Sequence, residues 1–306
     1  MHHHGGARIG LLQIMHSISL AMVLLLVGGA PSAAAPVRDD APSAADSADA
    51  APARTARVSE PAQPAHHHAA LGGAHDHGGG SATRIALSLG MLAASYRSPL
   101  YEGDYQGTTV GARVSRGRVA LAGSLAAYRI DRNGATVNGL GDAMLHAHAT
   151  VLARDALSAG VMVMGSLPTG DDQRGLGMGH VMVMSEAWAA WTPSRLAITA
   201  SAGYARMLDG AAAHAKHGAP MWPLVDPMNA RELPFEGLAM AALGPVGVGA
   251  HLLGALPLGT GTTRLSAGAR VAWTVGRLTA TAELGRGLVG DPFELRGVLE
   301  AAVRLP

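Results

Sequence analysis

From Thr83 onward, apolar residues recur at every second position, and this alternation limits the fold more than any other feature of the chain. Successive side chains of a β-strand point to opposite faces, so a period of two marks strands with one apolar and one polar face. In RIALSLGML, Ile85, Leu87, Leu89 and Met91 share a face, as do Val119, Leu121 and Leu125 in VALAGSLAA. Further on, Leu265, Val271, Trp273 and Val275 oppose Arg264, Ser266, Arg270 and Thr274. Leu278 and Leu284 oppose Arg277, Thr279, Thr281 and Glu283. Leu295, Leu299, Val303 and Leu305 oppose Glu294, Arg296, Glu300 and Arg304.

Twelve such segments are expected, near 83–95, 107–115, 118–129, 141–153, 156–167, 178–191, 195–207, 232–243, 246–256, 263–275, 277–287 and 294–305. Tight connections (SRGR, ARDA, TPSR, LGPV, VGR) alternate with longer ones at 96–106, 130–140, 168–177, 208–231, 257–262 and 288–293. An even number of strands of roughly 9–13 residues, with short turns at one end and longer loops at the other, is the plan of an outer-membrane barrel. The expected fold is therefore all-β, an antiparallel up-and-down transmembrane β-barrel of about 12 strands. A soluble β-sandwich also alternates. It would spread charge over its outer surface, whereas here one face of nearly every strand is bare of charge, as lipid requires. Aromatic content is 4%, low for interfacial girdles, with Trp191, Tyr204 and Trp273 as the residues placed to supply them. The terminal Pro306 departs from the aromatic last residue usual for barrel assembly, a step that would make the assembly machinery a partner along with outer-membrane lipid.

The N-terminus reads differently. Arg8 precedes the apolar run ISLAMVLLLVGG, and APSAAAP follows with Ala33 and Ala35 at A-x-A spacing. That order describes a secretory signal peptide over residues 1–35. The run is too short to span a bilayer comfortably. Residues 36–82, rich in Ala, Pro, Ser and Asp and without apolar periodicity, read as a disordered tail, with the barrel at 83–306. Twelve strands put both barrel ends on the short-turn side, so the tail is expected in the periplasm. It carries His66, His67, His68, His75 and His77, neutral imidazoles of the kind that collect Zn²⁺, Cu²⁺ or Ni²⁺. The formal charge of +1 argues against nucleic acid as a partner, and the absence of Cys removes disulfides and thiolate sites.

Two stretches carry a family likeness. NGLGDAMLHAHATVL at 138–152, followed by GSLPTGDDQRGLGMG at 165–179, resembles the GLGD … PTG … glycine-loop signature of outer-membrane proteins similar to the phenol-degradation MetA-pathway transporters. Gly139, Leu140, Gly141 and Asp142 match the first element, Pro168, Thr169 and Gly170 the second, and Gly175, Gly177 and Gly179 the third. The terminal GDPFELRGVLEAAVRL is also similar to that family's last hairpin. The likeness covers about residues 83–306, with specific motifs in the middle third. It implies a transport-type barrel and a hydrophobic or aromatic solute. Physically, Asp142 on the polar face is set to accept hydrogen bonds from backbone or a lumenal Arg. Pro168 closes a strand where a missing N–H does no harm, and Thr169-Gly170-Asp171 makes the turn. Barrel geometry explains these residues better than ligand contact does.

Parity assigns the interior. Leu145, Ala147, Ala149 and Val151 form the lipid face of 141–153, leaving Met144, His146, His148 and Thr150 inward. Val161 and Val163 face lipid with Leu157 and Leu167, leaving Ser158, Gly160, Met162, Met164 and Ser166 inside. Val181 and Val183 face lipid, leaving His180, Met182, Met184, Glu186 and Trp188 inside. Loop residues Met178, His214, His217, Met221 and Met228 repeat the bias. Thioethers suit Cu(I) or Ag(I) and imidazole suits Cu or Zn, so Met162, Met164, Met182, Met184, His146, His148 and His180 are candidate soft-metal ligands. Methionine is equally a flexible apolar filler.

No G-x-S-x-G, phosphate loop or H-E-x-x-H is present, Ser185 shares the lipid-facing parity of Val181 and Val183, and Ser166 has no His–Asp partner that spacing establishes, so no enzyme is expected. The expected function is passive or facilitated passage of a small solute across the cell outer membrane. The lumenal row Arg84, Arg113, Arg195, Arg264, Arg270, Arg277 and Arg296 outnumbers Asp142, Glu186, Glu236, Glu283 and Glu300, which leads to an expected preference for anions. The alternatives are a barrel that binds Cu, Ag or Zn and a closed structural barrel.

Overall fold

The computed structural model describes residues 82–97, 102–132, 134–208 and 228–306. The signal peptide at 1–35, nearly all of the tail at 36–82 with its histidine tract, and His214, His217 and Met221 lie outside the described residues. The strands are β1 (Thr83–Arg97), β2 (Glu102–Arg116), β3 (Val119–Arg132), β4 (Ala135–Leu140), β5 (Ala143–Arg154), β6 (Leu157–Leu167) and β7 (Met182–Trp191). They continue with β8 (Leu196–Met207), β9 (Arg231–Leu243), β10 (Val246–Pro257), β11 (Arg264–Val275), β12 (Leu278–Val289) and β13 (Phe293–Arg304).

All pairings are antiparallel between neighbours in the ring, and β1 pairs with both β2 and β13, so the sheet closes on itself. The ladder segments number thirteen, yet the barrel has twelve strands. Both β4 and β5 pair with β3, the first along Ala127–Arg132 and the second along Val119–Ser124. They are two halves of one barrel strand, broken at Gly141-Asp142.

The outer surface is the apolar one. Leu89 is 53% exposed, Leu121 59% and Leu145 54%, while their strand neighbours turn inward. An apolar belt of this extent around a closed sheet is stable only against lipid. Trp191 and Tyr204 are exposed on this face, and Trp273 is half-buried there. No described helix is long and apolar enough to cross a membrane; strands make the crossing.

Several expected boundaries move. The stretch 130–140, expected as a long loop, is a hairpin in which Ile130 pairs with Val137 and Arg132 with Ala135. Asn133-Gly134 is a two-residue hairpin signal, and Gly134 has φ 84°. The loop expected at 96–106 is shorter, because β1 runs to Arg97 and β2 starts at Glu102. The expected strand at 178–191 starts at Met182, since residues before it belong to an inward-folded loop. At 15 residues each, β1 and β2 reach about 50 Å at the usual rise per residue, well beyond the apolar band of a barrel even when tilted. The long-loop end therefore projects past the lipid and has a core of its own.

Candidate lumenal site

The GLGD and PTG elements build one local device. At the break between β4 and β5 the ladder stops, and Thr169 replaces it. Its Oγ1 accepts from Ala143 N at 2.8 Å and donates to the Gly141 carbonyl at 3.0 Å. Asp142, 3% exposed, accepts from Gly170 N at 2.9 Å through Oδ1 and from Met178 N at 2.7 Å through Oδ2. Two charge-assisted bonds from one carboxylate thus hold both ends of the segment between them. The intervening backbone turns through a short 3₁₀ segment, Asp172–Arg174, with Asp171 at its start and Gly175 at φ 76° at its end. Arg174 Nη2 donates to the Asn138 carbonyl at 3.2 Å. Pro168 is exposed just past β6, where it interrupts nothing.

The glycines of the motif make room for this fold. A Cβ at Gly141 would strike the Tyr128 ring, one at Gly139 would come within 2.6 Å of Leu176, and one at Gly177 would strike the Asp142 carboxylate. The loop after β6 therefore lies inside the barrel mouth, and its side chains enter two apolar clusters.

The first cluster is aromatic and aliphatic: Leu92, Tyr96, Tyr105, Tyr128, Ile130, Val137 and Phe293, completed by Leu176 from the loop. Tyr105 meets Phe293 edge to face at 5.5 Å and Tyr128 at 6.2 Å. The second is methionine: Met144, Met164, Met182, Met184 and Met207 on β5 to β8, Met178 from the loop, and Met228 against its edge. In register, Met164 lies opposite Met184 and Met182 opposite Met207.

Deeper in, the lumen is polar. Arg270 Nη1 donates to Glu283 Oε1 at 2.7 Å, and His251 Nδ1 lies 3.7 Å from the other oxygen of that carboxylate. Glu236, Glu186 and Glu300 also face the lumen, and His148 stacks on Trp188 at 5.0 Å. At the short-turn end, Ala197, Leu238, Met240 and Ala272 pack together.

The parity assignments hold for most of the residues they cover. Arg84, Arg113, Glu186, Arg264, Arg270 and Glu283 face inward, as do His146, His148, His180, Met162, Met164, Met182 and Met184. Two do not: Arg195 and Arg277 are exposed on the turns before β8 and β12. Their parity points inward, but the chain has already left the ladder. The structure also adds a carboxylate to the lumenal row, Glu232, fully buried and bound by Arg264 Nη2 with both oxygens at 2.8 Å. Asn229 donates to it from N and Nδ2 and ties the loop at Thr262 to the start of β9. The period-two rule is enough to find Glu232, which shares the parity of Glu236. With Arg195 and Arg277 removed and Glu232 added, five guanidiniums (Arg84, Arg113, Arg264, Arg270 and Arg296) face six carboxylates (Asp142, Glu186, Glu232, Glu236, Glu283 and Glu300), and the expected anion preference loses its basis.

Of the candidate metal ligands, Met164, Met182 and Met184 come together with Met144, Met178 and Met207, while Met162 is buried one step deeper. The histidines do not assemble: among the described residues no group of three or more His, Asp or Glu is placed to hold a metal ion. Met207 is the member of the cluster that the sequence does not single out. It sits at the end of β8, where a single inward Met after Ala, Ser and Gly gives no pattern.

No family profile matches the chain, and no curated protein sequence does. Among solved structures, it is similar to an outer membrane channel from Pseudomonas putida F1, with a TM-score of 0.58 and 13% identity over 76% of this chain and 98% of that one. Looser likenesses are a KdgM porin (TM-score 0.45, 5% identity, 72% and 98% covered) and the translocator domain of the autotransporter NalP from Neisseria meningitidis (0.45, 14%, 76% and 90%). At this identity the first likeness shows a shared fold, that of a transmembrane barrel.

Proposed function

We propose that the protein is an outer-membrane barrel for passive or facilitated passage of small apolar or aromatic solutes. The observation that carries this reading is the loop after β6. Pinned by Asp142, it places Leu176 and Met178 in the barrel mouth and leaves that end lined by apolar side chains. The lumenal charges below it carry no excess of guanidiniums to select anions. The resemblance of the GLGD and PTG elements to the MetA-pathway transporters supports the same solute class. Short turns, both chain ends of the barrel and the N-terminal tail belong on the periplasmic side in this reading, as in bacterial barrels generally.

The test is uptake of a radiolabelled small aromatic and of a neutral sugar into lipopolysaccharide-containing vesicles, with and without the protein. The aromatic is expected to enter faster with the protein present, and the sugar not. Asp142→Ala removes two hydrogen bonds worth about 1.5–3 kcal/mol each, frees the loop and is expected to admit the sugar and raise ion conductance. Faster sugar than aromatic uptake by the unaltered protein would overturn the solute class. No uptake of either, before and after the substitution, would establish a closed structural barrel.

A further inference from the structure

We propose that the methionine cluster at the long-loop end is a binding site for a soft monovalent cation, Cu(I) or Ag(I). It stands apart from the solute reading, since its residues bind such an ion whether or not an apolar solute crosses. The chain has 14 methionines, and Met144, Met164, Met178, Met182, Met184, Met207 and Met228 meet here, contributed by four strands and two loops. Among the described residues, Ala205 and Ala230 are its only other apolar members. The aromatic cluster beside it fills the same end of the same barrel without a single methionine, so packing this region does not require thioethers.

Geometry and chemistry agree with a ligand. Directly opposed residues of an antiparallel pair have Cβ atoms about 4.5–5.5 Å apart, and both Met164 with Met184 and Met182 with Met207 are so opposed. The methionine side chain has three rotatable bonds, so sulfurs on adjacent strands can converge on one ion. Thioethers are soft, neutral donors that select d¹⁰ monovalent ions over Zn²⁺ or Mg²⁺.

Two further observations point to an occupant. Ser166 lies between Met144 and Met182 in register, is 1% exposed, and its Oγ meets no hydrogen-bond partner among the described residues. A buried hydroxyl left so is costly unless something is bound beside it. The site also has a carboxylate at its edge. Asp142 Oδ2 is bonded to the backbone of Met178, a member of the cluster. A monovalent cation held by neutral sulfurs is offset by this carboxylate in a way an uncharged occupant would not be.

The experiment is titration of the full-length, detergent-solubilised protein with Ag(I), a redox-inert probe, followed by X-ray absorption at the silver edge. A triple variant, Met164→Leu, Met182→Leu and Met184→Leu, and a second with His66, His67, His68, His75 and His77 changed to Ala are compared. Heat-modifiable gel migration reports whether each barrel is folded. Leu for Met nearly conserves volume, so the fold is expected to persist. The single Met184→Leu variant replaces the triple should the latter fail to fold. Expected are sulfur neighbours around bound silver, affinity lowered about tenfold or more in the leucine variant, and retention of the sulfur-bound silver in the histidine variant. Silver bound through nitrogen alone, affinity unchanged by the leucine substitutions, or complete loss with the histidine substitutions would each overturn the site.

Discussion

Two clusters fill the same end of this barrel, both completed by the same loop, and they are built on opposite principles. The cluster around Tyr105 uses rigid rings and branched chains locked edge to face. The cluster around Met184 uses unbranched thioethers with no fixed shape. Aromatic pairs gain from specific geometry beyond the area they bury, whereas methionine adapts to whatever space remains. The difference teaches that the lumen is not uniform filler. One side gives the projecting hairpins of β1 to β4 a core, and the other keeps a deformable, polarizable surface next to the loop. Closed packing alone would have served with either type throughout.

The contrast can be broken most sharply at its rigid side. Tyr105→Ala opens a hole among Tyr128, Phe293 and Leu176 and is expected to cost about 3–5 kcal/mol, read by chemical denaturation in phospholipid vesicles. A cost within about 1 kcal/mol would mean that the aromatic cluster is not a core. Gly141→Ala probes the seam between the two clusters, because the added methyl meets the Tyr128 ring and forces the loop or the ring to move. An overpacking cost of about 1–3 kcal/mol is expected, together with raised conductance in planar bilayers if the loop yields first. The smallest effect belongs to the soft side. Met207→Leu is expected to change stability by less than about 1.5 kcal/mol in the same denaturation assay. A loss as large as that of Tyr105→Ala would show that the methionines are packed as tightly as the rings.

Much of this architecture is legible in the amino-acid sequence. Parity alone places Leu89, Leu121 and Leu145 against lipid and Arg113, Glu186 and Arg270 inside, because a period of two leaves a strand no other choice. It errs at Arg195 and Arg277, where a turn releases the chain from the pleat. Glu232 is within its reach, since its parity with Glu236 marks it as lumenal. The hairpin at 130–140 is announced by its Asn-Gly pair, but its flanks are short and polar and read as a loop unless that pair is weighed. The break at Gly141-Asp142 is hidden, since nothing local says that one barrel strand is served by two ladder segments.

The sequence by itself therefore determined the number of strands, their faces and the class of fold, since these follow from alternation and from the spacing of turns. Only the tertiary structure decided that Asp142 reaches Gly170 and Met178, 28 and 36 residues away, and that Met144, Met184 and Met207 share one space. The reason is physical. Alternation is a property of a chain's own backbone, while convergence depends on barrel closure, register and an inward-folding loop, and no single strand encodes these.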